Sequence, residues 1–200
     1  MSDQPTPPAQ PSNPGPSGGE LNADELAAWR GLLRVHARVT RALDDELVAT
    51  HSLPLTSYEV LLTLDNAGGR LRMAELADSM LLSRSGHARL VDRLEHGGLA
   101  RSDAAELADS VLLSRSGLTR VVDRLEQRGL VDRETLPSEQ PGSHAVLTES
   151  GRTALLEARK THLAGVRRRV LGCLSVEEQR AIGGIFDRIL ERNDDEEGIS

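Results

Sequence analysis

One unit is written twice in this chain. Residues 73–103 and 104–134 align without a gap at a spacing of 31 residues and match at 20 of those 31 positions. The shared core reads AELADSMLLSRSGHARLVDRLEHGGL from Ala74 and AELADSVLLSRSGLTRVVDRLEQRGL from Ala105. Apolar residues at three- and four-residue steps predict a short helix, a Leu-Leu-Ser turn and a second helix in each copy, at about 74–81 and 84–96, then 104–112 and 115–127. That pattern is a helix-turn-helix, and the second helix of each copy carries arginine on its outer face.

Copy two has the cleaner second helix. Leu118, Val121, Val122 and Leu125 fall on one apolar face, so Ser116 and Arg120 point nearly opposite, flanked by Thr119, Asp123 and Arg124. Ser114 is placed to cap the helix and Arg115 lies in its first turn, where backbone N–H groups favour phosphate. Arginine, serine and threonine on such a face reach phosphates or base edges from the major groove. The competing reading is a solvated charged face in which Arg120 pairs with Asp123. Copy one places Ser83, Arg84, Ser85, Arg89 and Arg93 at the corresponding positions and is the alternative reader. However, His87 stands where copy two has Leu118, Ala88 replaces Thr119, and Arg72 replaces Asp103, which with Glu106 forms a capping box. Copy two is therefore taken as the reading unit. The apolar face of the extra helix pair (Leu90, Val91, Leu94) must be covered by its twin, by the long helices or by a partner chain.

Around the repeats the chain reads as follows. Residues 1–20 are Pro, Ser and Gly with little to bury and are expected to be disordered. A capping box from Asn22 to Glu25 opens a long helix to about Thr50, with an inward stripe of Leu26, Trp29, Leu32, Val35, Val39, Leu43 and Leu47. Thr56 and Glu59 suggest a second capping box, and Asn66 to Gly69 ends that helix. Arg70 to Arg72 fits a short strand. After copy two, Leu130 to Glu134, a turn over Pro137 to Ser143, and His144 to Leu147 read as a two-stranded wing. Thr148 caps a long helix to about Leu171. Ser175 with Glu178 then starts a last helix with Ile182, Ile185, Phe186 and Ile189 on one face, before an acidic tail over 194–200.

Charge permits nucleic-acid binding without requiring it. The net charge is −7, but Asp3, Glu20, Asp194, Asp195, Glu196 and Glu197 belong to the two tails, which leaves the body near −1 with all 24 basic residues. Lys160 is the one lysine among them, so the basic face is arginine, which grips phosphate and guanine bidentately. Cys173, alone in the stretch VLGCL, excludes an internal disulfide and reads as a buried, inert thiol. The six histidines show no metal-ligand spacing, so neither metal nor cofactor is expected. No apolar run approaches the ~18 residues of a membrane span and no basic, apolar leader opens the sequence, so a cytoplasmic protein with no membrane partner is expected. No Ser/His/Asp order, phosphate loop or paired carboxylates suggest an enzyme.

The order of parts resembles the MarR family of winged-helix regulators. The resemblance covers about residues 24–192 and rests on AELADSVLLSRSGLTRVVDRLEQRGLV, on HAVLTESGR at the end of the wing, and on the long flanking helices. AAWRGLLRVHARVTRAL is similar to the first helix of actinobacterial members. The resemblance implies a mainly α fold: a winged helix-turn-helix lobe over 53–148 with a small β-wing, and a helical dimerisation region built from 21–52 and 149–193. It implies a homodimer on double-stranded DNA, acting as a repressor relieved by a small aromatic or phenolic effector. Position by position, Ser114, Arg115, Ser116, Thr119, Arg120 and Arg124 match the recognition segment, and Ser143 and His144 match the wing. Trp29, His36 and Tyr58 are candidates to line the effector cleft, against the alternative of core or dimer packing. Two features depart from the family pattern: the tandem repeat, and a wing tip, LPSEQPGS, without the arginine that enters the minor groove. The first helix also lacks the cysteine of oxidation-sensing members. The alternative function is a dimeric ligand-sensing or interaction protein whose DNA binding is impaired by the repeat.

Overall fold

The computed structural model describes residues 21–80, 115–135 and 143–197, with side chains described over 21–80, 117–134 and 143–193. The expected N-terminal tail, the copy-one helix over 84–96, the first helix of copy two over 104–112, and the wing turn over 136–142 lie outside the described residues, while 194–197 of the expected acidic tail continue the last helix.

Helix α1 (Ala23–His51) opens on the expected capping box: Asn22 Oδ1 accepts from Asp24 N and Glu25 N, and Glu25 Oε2 accepts from Asn22 N at 2.8 Å. It stops at Ser52, which is left-handed (φ 51), and the turn sends Leu53 into the core. Helix α2 (Leu55–Asn66) follows at once. Its N-cap is Pro54, two residues before the expected cap Thr56, which lies inside the helix. The capping acceptor comes instead from α1, where Asp44 Oδ1 takes the Leu55 N–H at 2.7 Å. A carboxylate from a neighbouring helix satisfies the orphan donor that a local box would have taken.

Gly68 and Gly69, both at positive φ, end α2 and return Gly69 N to Leu64 O at 2.7 Å. Strand β1 (Arg70–Arg72) leads directly into a helix over 73–80, α3, the first helix of copy one. Helix α4 (Arg115–Gln127) is the second helix of copy two, and β2 (Val131–Thr135) and β3 (Ser143–Leu147) form the wing. The three strands are antiparallel in the order β1-β3-β2, with Leu71 opposite Ala145 and Arg133 opposite Ala145 on the other edge. Helix α5 (Glu149–Arg169) is capped by Thr148, whose Oγ1 accepts from Gly151 N. A short 3₁₀ turn (Leu171–Cys173) precedes α6 (Val176–Glu197), which opens on the Ser175–Glu178 box.

The core lies where α2, α3, α4, the sheet and the first half of α5 meet. Leu61, Leu64, Leu76, Val122, Leu125, Val131 and Leu155 are buried almost completely there, each contributing about 1.5–3 kcal/mol of transfer free energy. α1 packs on α5. Two expected apolar stripes are only partly covered. On α1, Leu43 and Leu47 of that stripe are buried, as is Leu33 beside it, but Leu32 and Val35 are exposed. On α6, Ile182 is half-buried while Ile185, Phe186 and Ile189 are exposed. These faces look away from every described element of the same chain. Cys173 is exposed in the 3₁₀ turn, with its Sγ toward Arg169 O, because VLGCL forms a corner between helices and not a core segment. Among the described residues, no helix is long and apolar enough to cross a membrane.

Candidate nucleic-acid interface

Helix α4 has two faces with different tasks. Leu118, Val121, Val122 and Leu125 are between 0 and 3% exposed and key the helix into the core. That fixes Thr119, Arg120 and Arg124 on the outer face, all exposed. The pairing of Arg120 with Asp123 that a solvated face would favour is not formed. The acids of α4 turn to the wing instead: Arg133 of β2 places Nη2 2.5 Å from Asp123 Oδ1 and Nε 3.4 Å from Glu126 Oε2. Its Nη2 also reaches the Thr119 carbonyl at 3.4 Å. Arg120 and Arg124 thus make no ion pair with another described residue, while the two carboxylates on their helix are neutralised from behind. A second pair, Arg70 with Glu134 at 3.4 Å, ties β1 to the opposite edge of the wing.

The root of the wing is fastened to α5. Leu147 N donates to Gly69 O, Thr148 N donates to Leu130 O, and Thr148 Oγ1 donates to Gly129 O at 2.7 Å. Gly151 has no side chain because there is no room for one: a Cβ would stand 2.0 Å from the Leu130 carbonyl oxygen. Arg152, one residue on, pairs with Asp65 near the end of α2.

The other expected site residues separate. Ser83, Arg84, Ser85, Arg89, Arg93 and Ser114 lie outside the described residues, as do the side chains of Arg115 and Ser116, whose backbone forms the first turn of α4. Ser143 is half-buried at the start of β3. His144 is buried, at 8% exposure. Period-two alternation fails here, since His144 and Ala145 are both buried where the strand runs between β1 and β2.

The three proposed cleft residues lie on two helices. Trp29 and His36 are half-buried on α1, whereas Tyr58 is a core residue of α2 whose ring stacks on His162 of α5 at 4.8 Å and 26°. Burial raises the Tyr58 hydroxyl pKa, and burial also lowers that of His162, opposed by the nearby Glu59 carboxylate. His162 Nδ1 is buried without a hydrogen-bond partner. Sequence reasoning missed His162 and Arg133. An isolated histidine in a charged helix and an arginine in a strand carry no local signal of what they meet.

Two family models, both described as MarR family, match the chain, one over residues 51–106 and the other over 101–140. The first match contains the whole of copy one, the second the whole of copy two. No curated protein matched the chain. Among solved structures, AbsC, a MarR family transcriptional regulator from Streptomyces coelicolor, is 26% identical with a TM-score of 0.64, over 87% of this chain and 97% of that one. Sco3205, a MarR family transcriptional regulator from the same organism solved in complex with DNA, is 27% identical with a TM-score of 0.65, over 88% and 92%. The organohalide-sensing regulator RdhR-CbdbA1625 in its 2,4-dichlorophenol-bound form shares the fold, with 16% identity and a TM-score of 0.60 over 92% and 88%. The helix order, the three-stranded sheet and these neighbours agree: the chain has the winged-helix fold of MarR family transcriptional regulators.

Proposed function

We propose that this chain is a dimeric, sequence-specific DNA-binding transcriptional regulator, a cytoplasmic repressor relieved by a small ligand, with no enzymatic activity. The observation that carries this reading is the outer face of α4. Thr119, Arg120 and Arg124 stand exposed while Arg133 occupies the acids of the same helix. A helix held so that only its cationic face is offered suits the major groove, with Ser114, Arg115 and Ser116 at its N-terminal end toward phosphate and the wing, including Ser143, alongside. Residues 21–52 and 149–193 are assigned to dimerisation, since α1 and α6 carry the uncovered apolar faces. The DNA complex of Sco3205 supports the DNA reading, and the dichlorophenol form of RdhR-CbdbA1625 supports a small aromatic effector. The second reading, a dimeric sensor with impaired DNA binding, draws on the repeat itself, which writes the helix-turn-helix unit twice in one lobe.

The test is fluorescence anisotropy with a labelled duplex from the promoter region upstream of the protein's own gene, across a range of salt. A regulator loses affinity steeply and linearly on a log–log plot as phosphate contacts release counterions. Arg120→Ala is expected to weaken binding by about 1–3 kcal/mol, and Arg89→Ala by far less. Salt-independent or absent binding at low ionic strength selects the second reading, and the reverse ranking of the two arginines makes copy one the reader.

A further inference from the structure

Helix α4 ends in a corner that α1 and α5 both hold. The chain leaves the helix through Arg128-Gly129-Leu130. Gly129 is left-handed (φ 67), its N–H donates to Glu126 O at 2.8 Å, and Leu130 N donates to Leu125 O at 2.9 Å. On one side the start of α5 grips this corner, since Thr148 Oγ1 donates to Gly129 O and Thr148 N donates to Leu130 O. On the other side Arg128 reaches the end of α1, where its Nη1 donates to the Ser52 carbonyl oxygen at 2.7 Å. The residue 31 positions earlier is Gly97, so the side chain that makes this bond is not part of the repeated pattern.

The acceptor is a fixed reference point. Ser52 closes α1 in the left-handed conformation (φ 51, ψ 32). Its carbonyl stands at the negative end of a 29-residue helix, where the last carbonyls lack donors of their own, so a guanidinium makes a charge-assisted bond there. One residue earlier, His51 Nε2 and Thr161 Oγ1 are hydrogen-bonded at 2.8 Å, which ties the same end of α1 to α5. The apolar face of α4 seats the helix in the lobe, and Arg133 holds it from the wing. Arg128 adds a directional bond from the end of α4 to the end of α1. The rival role for an exposed arginine beside a recognition helix is a phosphate contact, and salt dependence separates the two.

We propose that Arg128 is a positioning residue for operator binding, setting the angle of α4 against α1 through the Ser52 carbonyl. This rests on the DNA-binding reading above and adds which bond refers the helix offered to the groove to the helices assigned to dimerisation. Because the acceptor belongs to the backbone, the bond depends on the left-handed turn at Ser52 and not on the serine hydroxyl.

The full chain is titrated against the promoter duplex by anisotropy across salt, with a melting curve for each variant to show that it is folded at the assay temperature. Arg128→Ala should weaken binding about three- to tenfold at an unchanged log–log salt slope. Arg128→Lys, which keeps a cationic donor of similar reach, should recover most of the loss. Ser52→Gly, which keeps the carbonyl and favours its turn, should bind like wild type, whereas Ser52→Val, strained at that φ, should match Arg128→Ala. Ser52→Val combined with Arg128→Ala should lose no more than either alone. Hydrogen exchange read by mass spectrometry gives a measure without DNA: Arg128→Ala should speed exchange over both 47–53 and 124–130. The inference is overturned if Arg128→Ala binds as tightly as wild type, if its salt slope falls by about one phosphate contact, or if the two losses add. If the wild-type chain binds no duplex at low ionic strength, the regulator reading fails and takes the positional role with it. Unchanged exchange over 47–53 in a chain that does bind overturns the joint alone.

Discussion

Arg133 holds α4 from the side of the wing. Its guanidinium is about one-quarter exposed and shares itself between Asp123 and Glu126, so truncation would leave two free carboxylates beside Arg120 and Arg124. Arg133→Ala should therefore weaken operator binding roughly tenfold through like-charge repulsion with phosphate. It should lower thermal stability little, since half-exposed pairs contribute under about 1 kcal/mol. Anisotropy and a melting curve on the same sample separate the two effects. His162 gives a pH prediction. Its pKa is lowered by burial from 6.5, so between that value and its folded pKa the unfolded chain binds the extra proton. Its contribution is intact above about pH 6.5 and is lost as the pH falls through this window. Glu59, Tyr58 and Arg159 are the charged or titratable neighbours on the facing elements and on α5. Denaturant unfolding at pH 7 and at pH 5.5 should show a drop that His162→Gln reduces. An undiminished drop would place the titrating group elsewhere.

At the scale of elements, the junction of β2, β3 and α5 is the least forgiving part of the lobe. Gly151→Ala forces backbone apart, because the atom a methyl would meet is the Leu130 carbonyl oxygen. The expected loss is about 1–3 kcal/mol, or roughly 2–4 °C in Tm per kcal/mol for a chain of this size, read by calorimetry. What was legible from sequence follows a simple division. The faces of α4, the Asn22 and Ser175 caps, the Thr148 cap and the Gly68-Gly69 stop all depend on residues within a few positions of each other, and all were read correctly. Errors arose where a distant element intervened. Asp44, not Thr56, is the capping partner of α2, and His162 reaches Tyr58 from another helix. Cys173 was misjudged because five mostly apolar letters do not distinguish a corner from a core. The repeat itself was plain, but the pairing of the first helix of one copy with the second of the other has no local signature.

Across the whole molecule, the uncovered residues on α1 and α6 set the expectation for assembly. Phe186 and Ile189 are each more than 40% exposed, and water-facing aromatic and branched aliphatic side chains on one helix mark an interaction surface. Phe186→Glu with Ile189→Glu should convert a dimer to a monomer in light scattering and cut operator affinity, since a palindromic site rewards two lobes held together. A variant that stays dimeric would move the interface off α6. The welded base of the wing has a mechanical consequence. Helix α5 is about 30 Å long at 1.5 Å per residue. Because Gly129, Leu130 and Leu147 are bonded to its first turn or abut it, a swing of roughly 5° pivoting at the far end would sweep the flap sideways by about 2–3 Å. That is enough to pull it from register with a groove. A lever of this kind would turn a slight shift near Tyr58 into a larger one at the wing, without any strand having to come apart.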